Sequence, residues 1–263
     1  MVTTERPAIG VMLRTWRHRR GLSQLHLSLH ASVSSRHLSF LESGRSKPSR
    51  EMVLHLCRVL QVPLRESNDL LLAAGFAPAH AESPLDGPAL RAANAAIDLI
   101  LAHQEPYPAV VMDRHWNLVR TNAAAARFFA RLLGPADPSR RANVVRLVFA
   151  ADGLRPLLAN WAEVAAALLD RVRREAPGGV IDAPLQQLLD EIDGDRAIAK
   201  LPSPPAVAAP LVALQFRKGD LALDFFSTVT TLGTPRDIAL QELRIECFFP
   251  ADERTRELAP HAY

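Results

Sequence analysis

The stretch Gly21–Pro48 (GLSQLHLSLHASVSSRHLSFLESGRSKP) decides the fold of the first part of this chain. Ser23 can cap a helix over Gln24–His30, because its hydroxyl can accept a hydrogen bond from a free backbone N–H group. Ser34 can cap the next helix in the same way. The spacing therefore predicts two consecutive helices joined by a tight turn at Ser32–Val33.

The second of these helices has an apolar face and a polar surface. Leu38 and Leu41 are three residues apart and share the apolar face. Off that face lie Ser35, Arg36, Ser39 and Phe40. A helix of this kind fits the DNA major groove, where side chains near the helix start reach base edges. Short side chains at Ser34 and Ser35 would let the backbone approach closely, and Arg36 could bind a guanine through two hydrogen bonds.

Gln24, Arg45 and Lys47 flank this helix and are expected to bind phosphates, which fix the register without reading sequence. The charge distribution agrees with a basic first domain. Residues 1–80 hold 11 basic and 5 acidic side chains, a net charge of +6, whereas residues 81–263 hold 20 and 23, a net charge of −3. A basic excess beside the two helices is the electrostatic pattern of DNA binding. The alternative is a helical bundle whose arginines are merely solvated.

The stretch also resembles the XRE family, the lambda-repressor-like helix-turn-helix regulators. The shared positions are Ser23-Gln24, Leu27, Val33-Ser34, Leu41-Glu42, Gly44-Arg45 and Lys47-Pro48. The resemblance covers about residues 9–62 and implies a five-helix DNA-binding domain, with base contacts at Ser35, Arg36 and Phe40. Ser32 stands where a turn glycine is usual. Phe40 stands where a polar residue is common, so it is expected either to contact a thymine methyl group or sugar, or to pack against a neighbouring helix or subunit.

Composition restricts the class of protein further. A length of 263 residues suits one large or two ordinary domains, and a hydrophobic content of 48% is ample for a core. Two cysteines, Cys57 and Cys247, are too few for a disulfide framework or a zinc site. We find no signal-peptide pattern and no apolar run long enough to span a membrane, so the sequence predicts a cytoplasmic protein with no membrane partner.

The pattern changes after a proline-rich linker at residues 77–88. Residues 89–103 read as a helix, and two short strands and a helix capped by Asn122 follow. The strands are predicted at 108–112 and from Trp116 to about Arg120, and the helix at 123–133. Two more helices (156–175 and 183–192) and a proline-rich break precede three strands, at 211–217, 221–231 and 238–249. This order predicts an antiparallel sheet covered by helices.

Residues 89–260 are similar to the ligand-binding domain of the MmyB-like regulators, a PAS-like module. The similarity rests on Asp113, Trp116, the run Asn122–Ala125, the helix that contains Trp161, and the stretch Phe225–Pro250. It implies a hydrophobic pocket between sheet and helices, suited to a bound fatty acid or similar apolar ligand; no other cofactor is expected. The expected pocket residues are Trp116, Arg120, Phe128, Trp161, Leu168, Phe216, Phe225 and Thr228. The alternative is that these side chains simply fill a core.

No catalytic or metal-binding pattern stands out, and we expect no catalytic residues, no metal and no enzyme activity. Some repressors with a similar DNA-binding domain cleave themselves at an Ala-Gly bond near the linker, using a Ser–Lys pair. Ala74-Gly75 lies in that region, and the lysines beyond the linker are Lys200 and Lys218. Gly75 as a helix cap explains the dipeptide without chemistry.

The sequence thus predicts an α+β protein with a helix-turn-helix domain over residues 1–76, a linker over 77–88 and a PAS-like domain over 89–263. We expect a sequence-specific transcriptional regulator that binds double-stranded DNA as a homodimer. Its second domain is expected to sense a small apolar ligand and to support dimerisation. The alternative for the second domain is a ligand-free module for dimerisation or protein docking.

Overall fold

The computed structural model describes residues 8–135, 142–175, 182–194, 198, 201 and 211–262. The chain divides into two compact units. The first comprises the described residues up to Ser83 together with Thr234–Gln241, and the second comprises the rest of the described residues. The predicted α+β class, with helices first and an antiparallel sheet later, is confirmed. The predicted limits of the linker stay a prediction; residues 77–83 of it lie with the first unit.

The described residues up to Ser83 form five helices. They are α1 (Ile9–Arg19), α2 (Gln24–His30), α3 (Ser35–Glu42), α4 (Arg50–Val59) and α5 (Leu64–Ala73). The predicted caps are confirmed: the His26 N–H donates to Ser23 Oγ and the His37 N–H donates to Ser34 Oγ, each at 3.1 Å. Leucines at helical spacing from all five helices meet in one core, among them Leu13, Leu27, Leu38, Leu41, Leu56 and Leu70, each fully buried.

The remaining described residues form a five-stranded antiparallel sheet and further helices. The elements are α6 (Arg91–His103), β1 (Ala109–Met112), β2 (Leu118–Thr121), α7 (Ala123–Leu133), α8 (Val144–Phe149), α9 (Trp161–Glu175), α10 (Ala183–Asp193), β3 (Leu214–Lys218), β4 (Leu221–Thr230), α11 (Ile238–Gln241), β5 (Arg244–Pro250) and α12 (Glu253–Ala262). The strand order is β2-β1-β5-β4-β3. The first and last strands of the chain therefore pair in the middle of the sheet, with Val110 opposite Glu246.

Several predicted elements differ from the structure. Trp116 lies before β2 rather than in it, because its left-handed backbone (φ 67°) cannot continue a strand. The predicted strand over 238–249 begins instead with α11, and only Arg244–Pro250 is extended. Helices α8 and α12 were not predicted. Residues 202–210 of the proline-rich break lie outside the described residues.

One face of the sheet packs on an aromatic core in the second unit. Phe128 on α7, Phe216 on β3 and Phe225 on β4 are almost fully buried. The Phe128 ring lies edge-on to the other two, with centroids 5.0 Å from Phe216 and 5.7 Å from Phe225. Such edge-to-face contacts are the favoured arrangement of buried aromatic pairs.

Candidate DNA interface and ligand pocket

The start of α3 faces the solvent, and a side chain caps a free backbone N–H group of its first turn. Ser34, Ser35 and Arg36 are exposed, and Ser34 caps the helix. Ser35 Oγ lies 2.8 Å from Ser28 Oγ, which ties α3 to α2. Ser39 is half-buried further along the helix. The first turn of α3 is thus a capped, polar and accessible surface.

Phe40 forms the centre of a positively charged surface on this unit. The guanidinium carbon of Arg36 lies 5.4 Å from the Phe40 ring centroid, and that of Arg45 lies 6.0 Å from it. The ring is half-buried, and Arg45 and Lys47 are exposed in the loop after Gly44. Guanidinium groups near an aromatic face gain cation–π energy. Arg36 and Arg45 thus place two positive charges beside the Phe40 ring, on one surface formed by α3 and the loop that follows it.

A buried ion pair holds α3 against α1. Arg17 donates from Nε and Nη2 to the two carboxylate oxygens of Glu42, at 2.6 and 2.8 Å. Gln24 Nε2 also donates to Glu42 Oε2, at 2.8 Å. The expected phosphate contact of Gln24 therefore competes with an internal hydrogen bond, since one of its N–H groups is already used.

These contacts determine the ionisation of Glu42. Burial disfavours its charged form, but the hydrogen bonds from Arg17 and Gln24 and the charges of Arg17 and Arg14 outweigh burial and lower the pKa of Glu42. The hydrogen bond to Glu42 likewise raises the pKa of Arg17. The sequence analysis missed this pair. The available signal was that Glu42 follows the buried Leu38 by four residues, so its face needed a partner for a buried charge.

Ser32 adopts the left-handed conformation that its position in the turn requires. Its φ is 52°, a value at which glycine is favoured because it has no Cβ. The close packing of α1 and α3 also depends on a glycine. A Cβ at Gly10 would lie 2.6 Å from the carbonyl oxygens of Leu41 and Glu42, which no side chain tolerates.

The structure brings most of the expected pocket residues together as packed neighbours. Trp116, Phe128, Phe216 and Phe225 belong to one buried cluster, and Trp161 and Leu168 pack against it partly buried. Trp161 Nε1 donates to the Val148 carbonyl at 2.8 Å. The rings of Phe128, Phe216 and Phe225 contact one another directly, as the core alternative requires.

Arg120 and Thr228 lie apart from that cluster. Arg120 donates to Asp98 Oδ1 and Asn94 Oδ1 on α6, each at 2.9 Å. Thr228 is exposed and points to the sheet face opposite Phe225, because alternate residues of a strand face opposite sides. The structure therefore places neither side chain where it could bind a head group inside the aromatic core.

Thr228 instead lines an open groove between α6 and the outer face of β4 and β5. The groove has a volume of about 420 Å³. Its walls are mostly apolar and include Leu99, Ile100, Thr228, Thr230, Cys247 and Phe249. Leu99 at its rim is 59% exposed. The sequence analysis did not predict this groove, because it depends on how α6 lies across the sheet.

Two arginines lie close to the Trp116 ring. The guanidinium carbons of Arg171 and Arg244 lie 4.8 and 5.2 Å from its ring centroid. Glu175 pairs with both, through Arg171 Nε and Arg244 Nη2, each at 2.8 Å. Burial lowers the pKa of Arg244, against the raising effect of Glu175. No local sequence pattern indicates this cluster, because its members come from three separate segments.

The residues considered for self-cleavage have structural contacts. Ala74 is the C-cap of α5, and Gly75 follows with φ 84°. Lys218 Nζ donates to the carbonyls of Arg131 and Leu132 at 2.8 and 2.9 Å, at the end of α7. Lys200 lies outside the described residues.

Among the residues that the structure describes, no group of three or more histidine, cysteine, aspartate or glutamate side chains is arranged to hold a metal ion. Of the helices formed by the described residues, none combines the length and the apolar character needed to cross a membrane.

Both parts of the chain match known families. Residues 8–70 match a helix-turn-helix domain, and residues 93–260 match the MmyB-like transcription regulator ligand binding domain. A capped recognition helix followed by such a domain defines the class: a helix-turn-helix transcriptional regulator with a ligand-binding domain. Within that class, this chain belongs to the MmyB-like transcription regulators.

The chain is also similar to individual proteins. The transcriptional regulator ClgR of Mycobacterium tuberculosis, in strains CDC 1551 / Oshkosh and H37Rv, is 36% identical over 99 residues, which cover 37% of this chain and 86% of ClgR. The crystal structure of the clp gene regulator ClgR from Corynebacterium glutamicum is 29% identical over 38% of this chain and 94% of that chain, with a TM-score of 0.23. The structure of an RNA-binding light-oxygen-voltage receptor is 15% identical over 96% of this chain and 61% of that chain, with a TM-score of 0.30.

Proposed function

We propose that this regulator binds double-stranded DNA sequence-specifically, with α3 in the major groove. The observation that carries the proposal is the exposed α3 surface, where Arg36 and Arg45 flank Phe40 beside the exposed Ser34 and Ser35. Arginine reads guanine through two hydrogen bonds, and short side chains let a helix approach the bases. Lys47 and Arg45 follow α3 and are suited to phosphate contacts, which fix the register.

A homodimer forms part of the proposal. Helix-turn-helix dimers bind two half-sites about one helical turn apart, and the second domain would supply or reposition the dimer contact. The proposal also places the protein in the cytoplasm, where such a regulator meets DNA. It assigns no enzyme activity, in keeping with the regulators to which the chain is similar.

The test of the DNA reader compares two variants of the full chain. A preferred DNA site is first selected from random duplexes, and binding is then measured by fluorescence anisotropy. Arg36→Ala should cost ~1–3 kcal/mol on that site and relax the preference at one base pair. Lys47→Ala is the control: it should weaken binding to all sequences alike and reduce the salt slope by ~1. Equal loss on selected and random DNA for Arg36→Ala would exclude Arg36 as a base reader.

For the second unit we propose a small apolar, fatty-acid-like ligand held among the aromatic side chains. The support is the match to a ligand-binding domain and the apolar character of the cluster around Phe128. A bound acyl chain would gain up to ~0.8 kcal/mol per buried methylene group. The alternative, a ligand-free module that dimerises or docks a protein, is favoured by the direct ring contacts of Phe128 with Phe216 and Phe225.

Native mass spectrometry of the purified protein, followed by denaturing extraction, separates these two alternatives. A retained small mass that is released as an apolar acid would establish a sensor, and the same spectrum would give the number of subunits. A clean ligand-free mass, with no shift of the melting temperature on adding palmitic acid, would favour the packed module. A monomeric mass with and without DNA would contradict the homodimer.

A further inference from the structure

One segment of the second half of the chain belongs to the first unit. Residues Thr234–Gln241, here called the insert, leave the sheet after β4 and return to it at β5, yet they group with the residues up to Ser83. Helix α11 forms the second half of the insert. Only residues 231–233 and 242–243 separate the insert from the two strands.

The insert caps the first turn of α5. The Leu64 N–H donates to Gln241 Oε1 at 2.7 Å, across 177 residues of sequence. Leu64 is the first residue of α5, and the preceding Pro63 offers no side-chain acceptor for the free N–H groups of that turn. The cap of α5 is therefore supplied by the connection between two strands of the sheet.

Two further hydrogen bonds attach the insert to residues 81–83. The Ile238 N–H donates to the Ala81 carbonyl at 2.9 Å, and the Ser83 N–H donates to Asp237 Oδ2 at 3.1 Å. Asp237 and Ile238 are 8% and 2% exposed. Connections between strands usually lie on the surface with few contacts, so this degree of burial is unusual for a strand connection.

Residues 79–83 are themselves held on α5. Asn68, on that helix, accepts the N–H groups of Ala79 and His80 at 2.9 and 3.0 Å and donates to the His80 carbonyl at 2.8 Å. Arg65, also on α5, pairs with Glu82. The insert thus rests on a strip of chain that is tied to the same helix it caps.

We propose that the insert transmits changes in β4 and β5 to α5, and through α5 to the DNA-binding surface. The insert is joined to β4 and β5 by the peptide chain. It is joined to the rest of the first unit by the three hydrogen bonds described above. Helix α5 packs on α1 and α4, and α1 carries the Arg17 that holds α3 through Glu42. The proposal uses the proposed function only in its last step, from α3 to DNA.

The strands that carry the insert also bear side chains of the aromatic core. Phe225 on β4 and Phe248 on β5 lie with their ring centroids 6.2 Å apart. Repacking at these rings would shift the strands on which the insert depends. A coupling free energy between two sites requires such an element, whose arrangement both sites can bias.

The test is a double-mutant cycle on the full chain, read by hydrogen–deuterium exchange of the α5 amides. Leu223→Ala loosens the sheet at a fully buried position of β4. In the wild-type background it should accelerate exchange in α5 by roughly 2- to 30-fold, the range of mutational effects on coupling. In the background Ile238→Ala/Gln241→Ala, the same change should leave α5 exchange unaltered. Arg236→Ala, at an exposed position of the insert, is the matched control and should preserve the acceleration.

Two results would overturn the proposal. One is an equal acceleration in α5 with and without the Ile238→Ala/Gln241→Ala change, because the effect would then bypass the insert. The other is no acceleration in the wild-type background. If peptides of the sheet show that Leu223→Ala unfolds the second unit, Phe225→Leu provides the same cycle with a smaller cavity. Because the readout requires no DNA, a failure of DNA binding would leave its outcome unaffected.

Discussion

At the scale of single residues, the position of α3 against α1 depends on one buried ion pair. Glu42 is fully buried and the Arg17 side chain is only 7% exposed. Each side chain can therefore carry its charge in the interior only because the other has the opposite charge. A buried pair contributes little relative to an apolar pair of the same shape, but removing one partner is costly. The pair therefore fixes the geometry of α1 and α3 more than it adds stability.

Arg17→Met is expected to lower the free energy of unfolding by about 3–5 kcal/mol, because it leaves the Glu42 carboxylate buried without its main partner. Arg14→Met is the matched control. Arg14 lies 3.6 Å from the same carboxylate but is half exposed, so its loss should cost less than about 1 kcal/mol. Urea unfolding followed by far-UV circular dichroism measures both. Equal costs would show that the carboxylate does not depend on Arg17.

At the scale of elements, Asn122 joins the start of α7 to the segment that leads into β1. Its Oδ1 accepts the N–H groups of Ala125 at 2.9 Å and Ala109 at 3.0 Å, and its Nδ2 donates to the Tyr107 carbonyl at 2.8 Å. It thereby caps α7 and holds the start of β1. The residue is only 6% exposed, so water cannot replace these bonds freely.

Asn122→Ala should cost about 2–4 kcal/mol, since it removes the cap and leaves a buried N–H of β1 without a partner. Ser34→Ala removes an exposed cap and should cost about 1 kcal/mol. Asn122→Asp keeps the acceptor and should fall between these values. Thermal unfolding of the three variants gives the order, and an Asn122→Ala cost no larger than that of Ser34→Ala would refute the structural role.

Local signals explain which elements the sequence could predict. The caps Ser23, Ser34 and Asn122 and the leucine spacing act within a few residues, and these predictions are confirmed. The Arg17–Glu42 pair and the Leu64–Gln241 bond join residues 25 and 177 positions apart, so a local pattern can indicate a buried group such as Glu42 but not its partner. Helix α11 was read as a strand, because four residues of Ile238–Gln241 are too few to show a helical period. The predicted DNA contacts and pocket contacts stay predictions.

At the scale of the whole molecule, carboxylates in both units stabilise the folded state more at neutral pH than at acid pH. Hydrogen bonds lower the pKa of Glu42 despite burial, and those from His115 and the Leu185 N–H do the same for Asp182. In Asp252, hydrogen bonds from Thr255 lower the pKa. A carboxylate whose pKa is lower in the folded than in the unfolded state stabilises the fold above its unfolded value, near 4. That stabilisation is lost as the pH falls through the folded pKa.

The urea midpoint of the full chain should therefore fall steeply below about pH 4. Glu42→Gln should lower the midpoint at neutral pH and reduce the acid-dependent part of the fall. Asp86→Asn, an exposed position, serves as the charge control and should leave the profile unchanged. A midpoint that rises as the pH falls below 4 would contradict the assignment.

The insert has a consequence for how such a protein can be assembled from parts. Thr234–Gln241 belongs to the first unit but lies between two strands of the second unit in the sequence. The first unit is therefore encoded by two separate stretches of the gene. A single recombination event in the linker would join a helix-turn-helix domain to a sensor whose insert evolved against a different α5. Productive exchange of sensors would then require the new insert to carry a side chain that replaces Gln241 at Leu64. Because the donor is the Leu64 backbone N–H, the constraint falls on the residue at position 241 and not on the side chain at position 64.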